Sequence, residues 1–229
     1  MVLPFQPMPL QTRPAPFDDA NWIFELKYDG FRALAMIEHG HAQLISRNGN
    51  PFPSFAELAS NIAAAVLNTR LTVFDGEIVC VDKKGKPQFR DLLFRRRDPY
   101  FFAFDLLACD GKDWRTEPLT DRKQELRRVL KLVPADSRLH YADQVDGLGT
   151  ALFERVCELD LEGIVAKHKF APYMVDRENR TWFKIRNRRY SQLAGREELF
   201  ERERHREPVP GWHSCVAACA ELEQTYRQQ

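Results

Sequence analysis

Alternating apolar and polar positions recur through the first half of the chain and predict β-strands. Pairs such as Asp29-Gly30 and Asn48-Gly49 separate the alternating segments and suit tight turns between antiparallel strands. Two shorter β-branched segments near the end of the chain have the same character. The predicted strands cover residues 22–28, 31–38, 42–47, 71–81, 100–107, 163–167 and 181–185.

Apolar residues at helical spacing predict helices between these strands. Ser54 and Glu57 have the S-x-x-E form of a capping box, which predicts that a helix begins there. Thr120 is a second predicted N-cap, for a helix over residues 121–133. The other predicted helices cover residues 91–97, residues 148–159 and the charged segment after residue 189.

Strands and helices do not alternate regularly along the chain. This order favours an α+β fold with largely antiparallel sheets flanked by helices over a doubly wound parallel sheet. Residues 1–20 contain five prolines and are predicted to form an extended lead-in, and residues 21–188 a single main domain. Residues 189–229 are predicted to be a helical tail packed on that domain.

Composition narrows the class of protein without identifying it. The chain has 229 residues, 44% of them hydrophobic, with a net charge of +1 and five scattered cysteines. No apolar run reaches the length of a membrane helix, and the N-terminus does not resemble a secretory signal. We therefore expect a cytoplasmic protein with no membrane partner. Any nucleic-acid surface must come from local basic clusters, of which residues 95–97 and 184–189 are the clearest.

The most informative segment is Glu25-Leu26-Lys27-Tyr28-Asp29-Gly30. On a strand, alternate side chains share a face, so Glu25, Lys27 and Asp29 are predicted to point one way. Leu26 and Tyr28 are then predicted to point into the core. Taken alone, a lysine between two carboxylates is equally typical of a charged surface ladder.

The spelling Lys27-Tyr28-Asp29-Gly30 resembles the Lys-x-Asp-Gly signature of the covalent nucleotidyltransferases, which are DNA ligases, RNA ligases and mRNA-capping enzymes. Further segments resemble the other motifs of that family, in the family's order. The sequences of these segments are most similar to those of the ligase domain of bacterial end-joining DNA ligases. The matching segments are residues 46–49, 74–77, 102–105, 162–167 and 182–186.

This resemblance implies an ATP-dependent DNA ligase adenylation domain, with the nucleotidyltransferase fold. AMP would pass from ATP to the side-chain nitrogen of Lys27, and then to a 5′-phosphorylated DNA end at a nick or break during repair. A protonated lysine is a poor nucleophile, so neighbouring cations or Mg²⁺ must favour the free amine. Asp29 would orient Lys27, and Lys184 would neutralise the α-phosphate.

The resemblance also implies the residues that bind the nucleotide. Adenine would be read by Glu25 and the backbone of Leu26, and stacked between Phe104 and Val165. Mg²⁺ would be held by the hard carboxylate oxygens of Glu162 and Glu77. The remaining implied contacts are Arg47 and Glu77 to the ribose, Arg32 to the ribose-phosphate region or the DNA end, and Arg186 to phosphate.

The chain departs from the family pattern after the fifth motif. Family ligases continue into an oligonucleotide-binding (OB) barrel, whereas about forty residues of helical composition remain here. We expect the chain to lack that barrel and to use a partner's barrel, to self-adenylate slowly, or to act on an adenylated end. The spacing of His213, Cys215 and Cys219 favours a helix core over a metal site.

Two alternatives remain open from the sequence. One is an RNA ligase or a capping-type nucleotidyltransferase, which shares the same motifs. The other is a module that binds nucleotides or DNA ends without turnover, which the expected lack of a barrel favours and the intact motif residues disfavour.

Overall fold

Two β-sheets packed face to face, with helices on their outer faces, form the part of the chain that the structure describes. The structure is a computed structural model that describes residues 5–66, 70–176 and 180–193. The chain divides into Met1–Ser191 and Gln192–Gln229. The predicted helical tail, with His213, Cys215 and Cys219, lies outside the described residues.

The strands and helices follow one another in this order along the chain. The strands are β1 (Gln11–Thr12), β2 (Asp18–Leu26), β3 (Phe31–Glu38), β4 (His41–Ser46), β5 (Thr72–Val79), β6 (Tyr100–Cys109), β7 (Lys112–Asp113), β8 (Leu139–Tyr141), β9 (Gln144–Leu148), β10 (Gly163–His168) and β11 (Trp182–Arg186). The helices are α1 (Ala56–Ala65), α2 (Phe89–Leu93), α3 (Leu119–Leu130) and α4 (Gly149–Glu158), with 3₁₀ turns at Pro53–Phe55 and Ser191–Leu193.

The first sheet has the order β1-β11-β10-β2-β9, and the second has the order β4-β3-β5-β6-β7 with β8 beside β6. All neighbours are antiparallel except the pairs β1–β11 and β6–β8. The prediction of an α+β fold with largely antiparallel sheets is confirmed.

Three apolar layers hold these elements together. One lies between the second sheet and helices α1 and α3, and includes Phe74 and Leu126. Another lies between the first sheet and α4, and includes Phe24 and Val156. The third joins the two sheets and includes Ile23 of β2 and Val73 of β5. Because strand side chains alternate, each sheet directs one set of residues toward its helices and the other toward the opposite sheet.

Several predicted boundaries are wrong in ways that matter for the site. Strand β2 begins at Asp18 and ends at Leu26, so the predicted strand over residues 22–28 stops before Lys27. The lead-in joins the first sheet, because Gln11–Thr12 pairs with β11. Helix α2 begins earlier than the predicted helix over residues 91–97, and Arg95, with φ of 53°, adopts a left-handed conformation just after it.

Both predicted N-caps are wrong. Ser54 lies in a 3₁₀ turn, and its hydroxyl accepts a hydrogen bond from Arg95 Nη2 at 2.7 Å. Glu57 pairs with Arg138 at 2.6 Å instead of capping. Helix α3 begins at Leu119, and the hydroxyl of Thr120 donates to Asp121 at 3.1 Å. Long-range partners replace the predicted capping bonds of Ser54 and Glu57, whereas Thr120 bonds to the side chain of the adjacent Asp121.

None of the helices that the structure describes is long and apolar enough to cross a membrane.

Candidate active site

Lys27 lies where the chain passes from the first sheet to the second. Strand β2 ends at Leu26, and the backbone N–H of Lys27 then donates to the carbonyl of Gly163 at 2.9 Å. Strand β3 begins at Phe31 in the other sheet. The four residues of the Lys-x-Asp-Gly segment therefore form the crossing, and this places Lys27 beside groups from both sheets.

Two glycines of the quoted motifs are needed for close backbone approach. A Cβ on Gly30 would collide with the carbonyl oxygen of Ile78 in β5. Gly163 has φ of 151°, and a Cβ there would collide with the carbonyl oxygen of Ile185 in β11. Any side chain at either position would push these strands away from Lys27.

Glu162 holds the side chain of Lys27. Lys27 Nζ lies 2.6 Å from Glu162 Oε1, and the two side chains are 20% and 7% exposed. Asp29, the predicted orienting residue, is buried and accepts a hydrogen bond from the hydroxyl of Tyr190 at 2.9 Å. The ion pair therefore shows Glu162 orienting the amine. Sequence reasoning missed Tyr190, which carries no signal beyond being the aromatic residue after the fifth motif.

A group of cations faces the same amine from the first sheet. Lys184 lies opposite Val165 in the register of β10 and β11, and Val165 lies opposite Glu25. These three residues therefore share the face that points toward the second sheet. Burial lowers the pKa of Lys184, and the charges of Arg186, Lys27 and Arg47 act in the same direction. The structure thus brings Lys184 and Arg186, which were predicted to bind phosphate, near Arg47, which was predicted to contact the ribose; Arg47 and Arg186 are exposed.

Glu77 approaches the amine from the second sheet. Burial raises the pKa of Glu77 to about 8, against the opposing charges of Lys27 and Arg32, while Glu162 and Asp75 raise it further. No group of three or more potential protein ligands for a metal occurs among the described residues. Two carboxylates beside a phosphate site suit Mg²⁺, which keeps several waters and takes few protein ligands. A bound Mg²⁺ would favour the charged form of Glu77, so the donor chemistry of Glu77 and Glu162 fits the predicted ion.

Glu25 is clamped between two buried lysines that sequence reasoning did not assign. Lys123 of α3 lies 2.7 Å from Glu25 Oε1, and Lys167 of β10 lies 2.6 Å from Glu25 Oε2. All three side chains are less than 5% exposed. Lys167 ends the fourth quoted motif, whereas Lys123 belongs to none. Its only signal is its place three residues before Leu126, an inward residue of the predicted helix over residues 121–133.

The pKa values of Lys167 and Lys123 shift in opposite directions. Burial lowers the pKa of Lys167 to about 8, and Lys123 adds to that effect while Glu25 opposes it. Burial also acts to lower the pKa of Lys123, but Glu25 and Tyr141 more than offset it, so that pKa is raised.

Phe104 lies on the inter-sheet face of β6, next to this cluster. Lys167 Nζ is 4.2 Å from the centre of the Phe104 ring and 4.1 Å from that of Trp182. The Trp182 indole N–H is buried and has no hydrogen-bond partner among the described residues. Phe104 is half-buried, so one part of the ring supports the core and another faces the site.

Arg32 has partners other than the predicted nucleotide. Its Nε and Nη2 donate to the two carboxylate oxygens of Asp75 at 3.0 and 2.6 Å, and Nη1 donates to the carbonyl of Met8 at 2.7 Å. Tyr173 also donates to Asp75, at 2.7 Å. In this structure Arg32 braces the second sheet against the lead-in.

Lys27 lies at the junction of two largely antiparallel sheets, with carboxylates and cations around it, and this arrangement is that of a nucleotidyltransferase domain. Comparison with known proteins identifies the family. The chain belongs to the ATP dependent DNA ligase domain family, whose model matches residues 11–186, more than half of the chain.

Relatives of known name agree with that family. The chain is 32% identical over 176 residues to the multifunctional non-homologous end joining protein LigD of Mycolicibacterium smegmatis, covering 74% of this chain but only 22% of that protein. It is 30% identical over 195 residues to the SPbeta prophage-derived DNA ligase-like protein LigB of Bacillus subtilis, covering 82% of this chain and 69% of that one.

Solved structures agree with the fold. A mycobacterial DNA ligase D complexed with ATP and MES superposes with a TM-score of 0.67 at 28% identity, covering 80% of this chain and 60% of that chain. The ligase domain of LigD from M. tuberculosis gives a TM-score of 0.66, also at 28% identity, with 79% of this chain and 59% of that chain covered. The predicted nucleotidyltransferase fold and DNA ligase family are confirmed.

Proposed function

We propose that Lys27 takes AMP from ATP and that the AMP then passes to the 5′-phosphate of a DNA end at a nick or break, for strand joining in repair. The observation that carries the proposal is the position of Lys27 Nζ, 2.6 Å from Glu162 and close enough to Lys184 to lower the pKa of that lysine. The related ligase D structure contains ATP, which supports the choice of nucleotide.

The first step forms a bond between the Lys27 nitrogen and the α-phosphorus of ATP. The bond from that phosphorus to the bridging oxygen breaks, and its electron pair leaves with pyrophosphate. The ammonium of Lys27 must first lose a proton, and Glu162 Oε1 is placed to accept it. Lys184 lies in position to stabilise the negative charge that grows on the phosphoryl oxygens.

The second step passes the AMP from Lys27 to the DNA. An oxygen of the DNA 5′-phosphate attacks the same phosphorus, the nitrogen–phosphorus bond breaks, and Lys27 recovers its proton. The oxygen of a 3′-hydroxyl then attacks the phosphorus of that DNA 5′-phosphate, the bond from this phosphorus to the AMP oxygen breaks, and AMP leaves while the hydroxyl proton passes to solvent. Glu77 and Glu162 would hold Mg²⁺, which supplies positive charge beside the phosphates when it is bound.

The other roles follow from positions in the two sheets. Glu25, the backbone of Leu26 and the faces of Phe104 and Val165 would enclose adenine, since Glu25 and Val165 adjoin on one sheet face. Arg47 and Glu77 would contact the ribose, and Arg186 a phosphate. We assign Asp29 to holding the crossing through Tyr190, and Arg32 to bracing Asp75.

The test is covalent labelling of the purified full chain by ATP with Mg²⁺. We expect a mass increase of one AMP, mapped to Lys27, and none in Lys27→Ala. Lys27→Arg should also stay unlabelled, because a guanidinium keeps its charge at any working pH. Lys83→Ala, which changes an exposed lysine at a hairpin tip, is the matched control and should label like the native chain.

Other results of the labelling experiment would each indicate a different function for the chain. Labelling by GTP in place of ATP would indicate a capping-type nucleotidyltransferase. Labelling with ATP but sealing of nicked RNA only would indicate an RNA ligase. Absence of label on the native chain, with retained nucleotide binding, would contradict the proposal and indicate a binding module without turnover.

A further inference from the structure

The buried carboxylate of Glu25 forms ion pairs with two lysines, although a hydrogen bond to a nucleotide needs only the carboxylate itself. We propose that Lys123 and Lys167 are positioning residues that hold the Glu25 carboxylate in one orientation, so that the pocket selects adenine from other purines. This inference rests on the proposed function and assigns base selection to two lysines outside the reacting atoms.

Each lysine is itself fixed at a second point. Lys123 Nζ also donates to the carbonyl of Ala142 at 3.0 Å and lies 4.2 Å from the Tyr141 ring. Lys167 Nζ donates to the carbonyl of Phe104 at 3.4 Å. The two ammonium groups therefore approach Glu25 from α3 and from β10 along directions that the backbone determines.

The charges around the carboxylate fix its orientation. One carboxylate between two ammonium groups leaves a net charge of +1 in a site with almost no exposed surface. Turning Glu25 away would leave two buried cations without a nearby counter-charge, which is strongly unfavourable. A carboxylate oxygen can accept more than one hydrogen bond, so each oxygen that binds a lysine can still accept a bond from a ligand.

An ionised, acceptor-only group distinguishes the purines by the substituent on C6. Adenine carries an amino group there, which donates, whereas guanine carries a carbonyl oxygen, which a carboxylate repels. Purine riboside has neither group, so it tests the donated bond without the repulsion. Glu25 is suited to this contact because it adjoins Val165 and shares its sheet face with Lys184.

Lys123 is the sharper test because it comes from α3, outside every quoted motif. In Lys123→Met the carboxylate loses the partner of its Oε1 and is free to turn. Lys123→Gln keeps a hydrogen-bond donor without the charge, and Lys123→Arg keeps both. Lys131→Met removes an exposed lysine just after the same helix and is the matched control.

The experiment measures dissociation constants by calorimetry on the full chain with α,β-methylene analogues, which cannot transfer their nucleotide. The analogues are those of ATP, GTP and purine riboside triphosphate. We expect the native chain to bind the ATP analogue about tenfold more tightly than the purine riboside analogue, as for one hydrogen bond to a charged group. The preference should fall to about twofold or less in Lys123→Met and Lys123→Gln.

The variants separate positioning from a merely structural role. Lys123→Arg should recover most of the preference, and Lys131→Met should keep all of it. An unchanged ratio in Lys123→Gln, or equal weakening of all three analogues, would overturn the inference. Thermal unfolding of each variant identifies those that fold, and Lys167→Met replaces Lys123→Met if the latter does not.

The same measurements distinguish this inference from the proposed function. Selective binding of the adenine analogue without labelling of Lys27 would refute the transferase and leave base selection standing. Labelling of Lys27 without any base preference in the native chain would refute the positioning role and leave the transferase standing. Binding of none of the analogues would refute both.

Discussion

Lys27 and Lys167 lie in the same site but meet different surroundings. Lys27 keeps a fifth of its side chain exposed and pairs with one carboxylate, whereas Lys167 is 2% exposed and lies against two aromatic rings. A nucleophile has to reach an incoming phosphate, so partial exposure suits Lys27. Burial and a braced geometry suit a lysine that holds another residue in place.

At the scale of single residues, a glycine near the site can be as important for the structure as a charged residue. We expect Gly163→Ala to lower the free energy of unfolding by at least about 2 kcal/mol more than Gly85→Ala does, measured by urea denaturation. Both positions have positive φ, but nothing lies within 4 Å of a Cβ on Gly85, whereas one on Gly163 meets the backbone of Ile185. Equal losses in the two variants would show that the approach of β10 to β11 does not depend on Gly163.

Helix α3 is placed by buried charge rather than by its cap. Arg122 donates from Nε and Nη2 to both oxygens of Asp105 in β6, each at 2.8 Å, and both side chains are fully buried. Arg122 Nη1 also donates to the carbonyls of Glu117 and Ala171. The neighbouring Lys123 is thereby set toward Glu25, so the packing of one helix carries a side chain into the site.

We expect Arg122→Met to lower the free energy of unfolding by about 3–5 kcal/mol, because it leaves the buried charge of Asp105 without a counter-charge. Chemical denaturation measures the loss. Adding Asp105→Leu to that variant should recover most of it, since no uncompensated charge remains. Arg128→Met, which breaks only the exposed pair with Glu125, should change stability by about 0.5 kcal/mol or less. A loss in Arg122→Met as small as that control would contradict this account.

Near the site, hydrogen bonds of Asp160 join segments that are far apart in the sequence. Asp160, after α4, accepts hydrogen bonds from the Ser191 hydroxyl at 2.6 Å, the Ser191 backbone N–H at 2.8 Å and Lys86 Nζ at 2.9 Å. Lys86 belongs to the hairpin that follows β5 of the second sheet. This cluster therefore joins both sheets behind Glu162 and the fifth motif.

The cluster predicts a particular acid response. Hydrogen bonds from Ser191, aided by Lys86, lower the pKa of Asp160 to about 2, whereas an unfolded aspartate titrates near pH 4. The stability that Asp160 contributes is therefore complete above about pH 4 and is lost as the pH falls toward about 2. Asp160→Asn keeps a residue that tolerates the left-handed φ of 51°.

Thermal unfolding of the two proteins between pH 6 and pH 2 tests this response. The native chain should be more stable than Asp160→Asn at pH 6, and the difference should shrink between about pH 4 and about pH 2. A difference that stays constant over this range would show that Asp160 gains nothing from its folded-state partners.

The chain pattern predicted most strands, but it predicted local helix starts poorly. Strand β3 matches its predicted bounds of residues 31–38, and both of its faces are buried, with Ala33 and Ala35 in one apolar layer and Leu34 in another. Ser54 and Thr120 failed as caps because Arg95 and Asp121 take their hydroxyls. The family motifs identified Lys27, Glu77, Glu162 and Lys184 as one site, and the structure brings those four together.

The sequence by itself determined the fold class and the family, and it singled out Lys27 as the proposed nucleophile, because periodicity and ordered motifs follow the order of residues along the chain. Only the tertiary structure decided which groups act on each other. Lys123 reaches Glu25 across 98 positions and Tyr190 reaches Asp29 across 161. Such pairs leave no local spacing to read, because side-chain contacts depend on how whole sheets and helices pack.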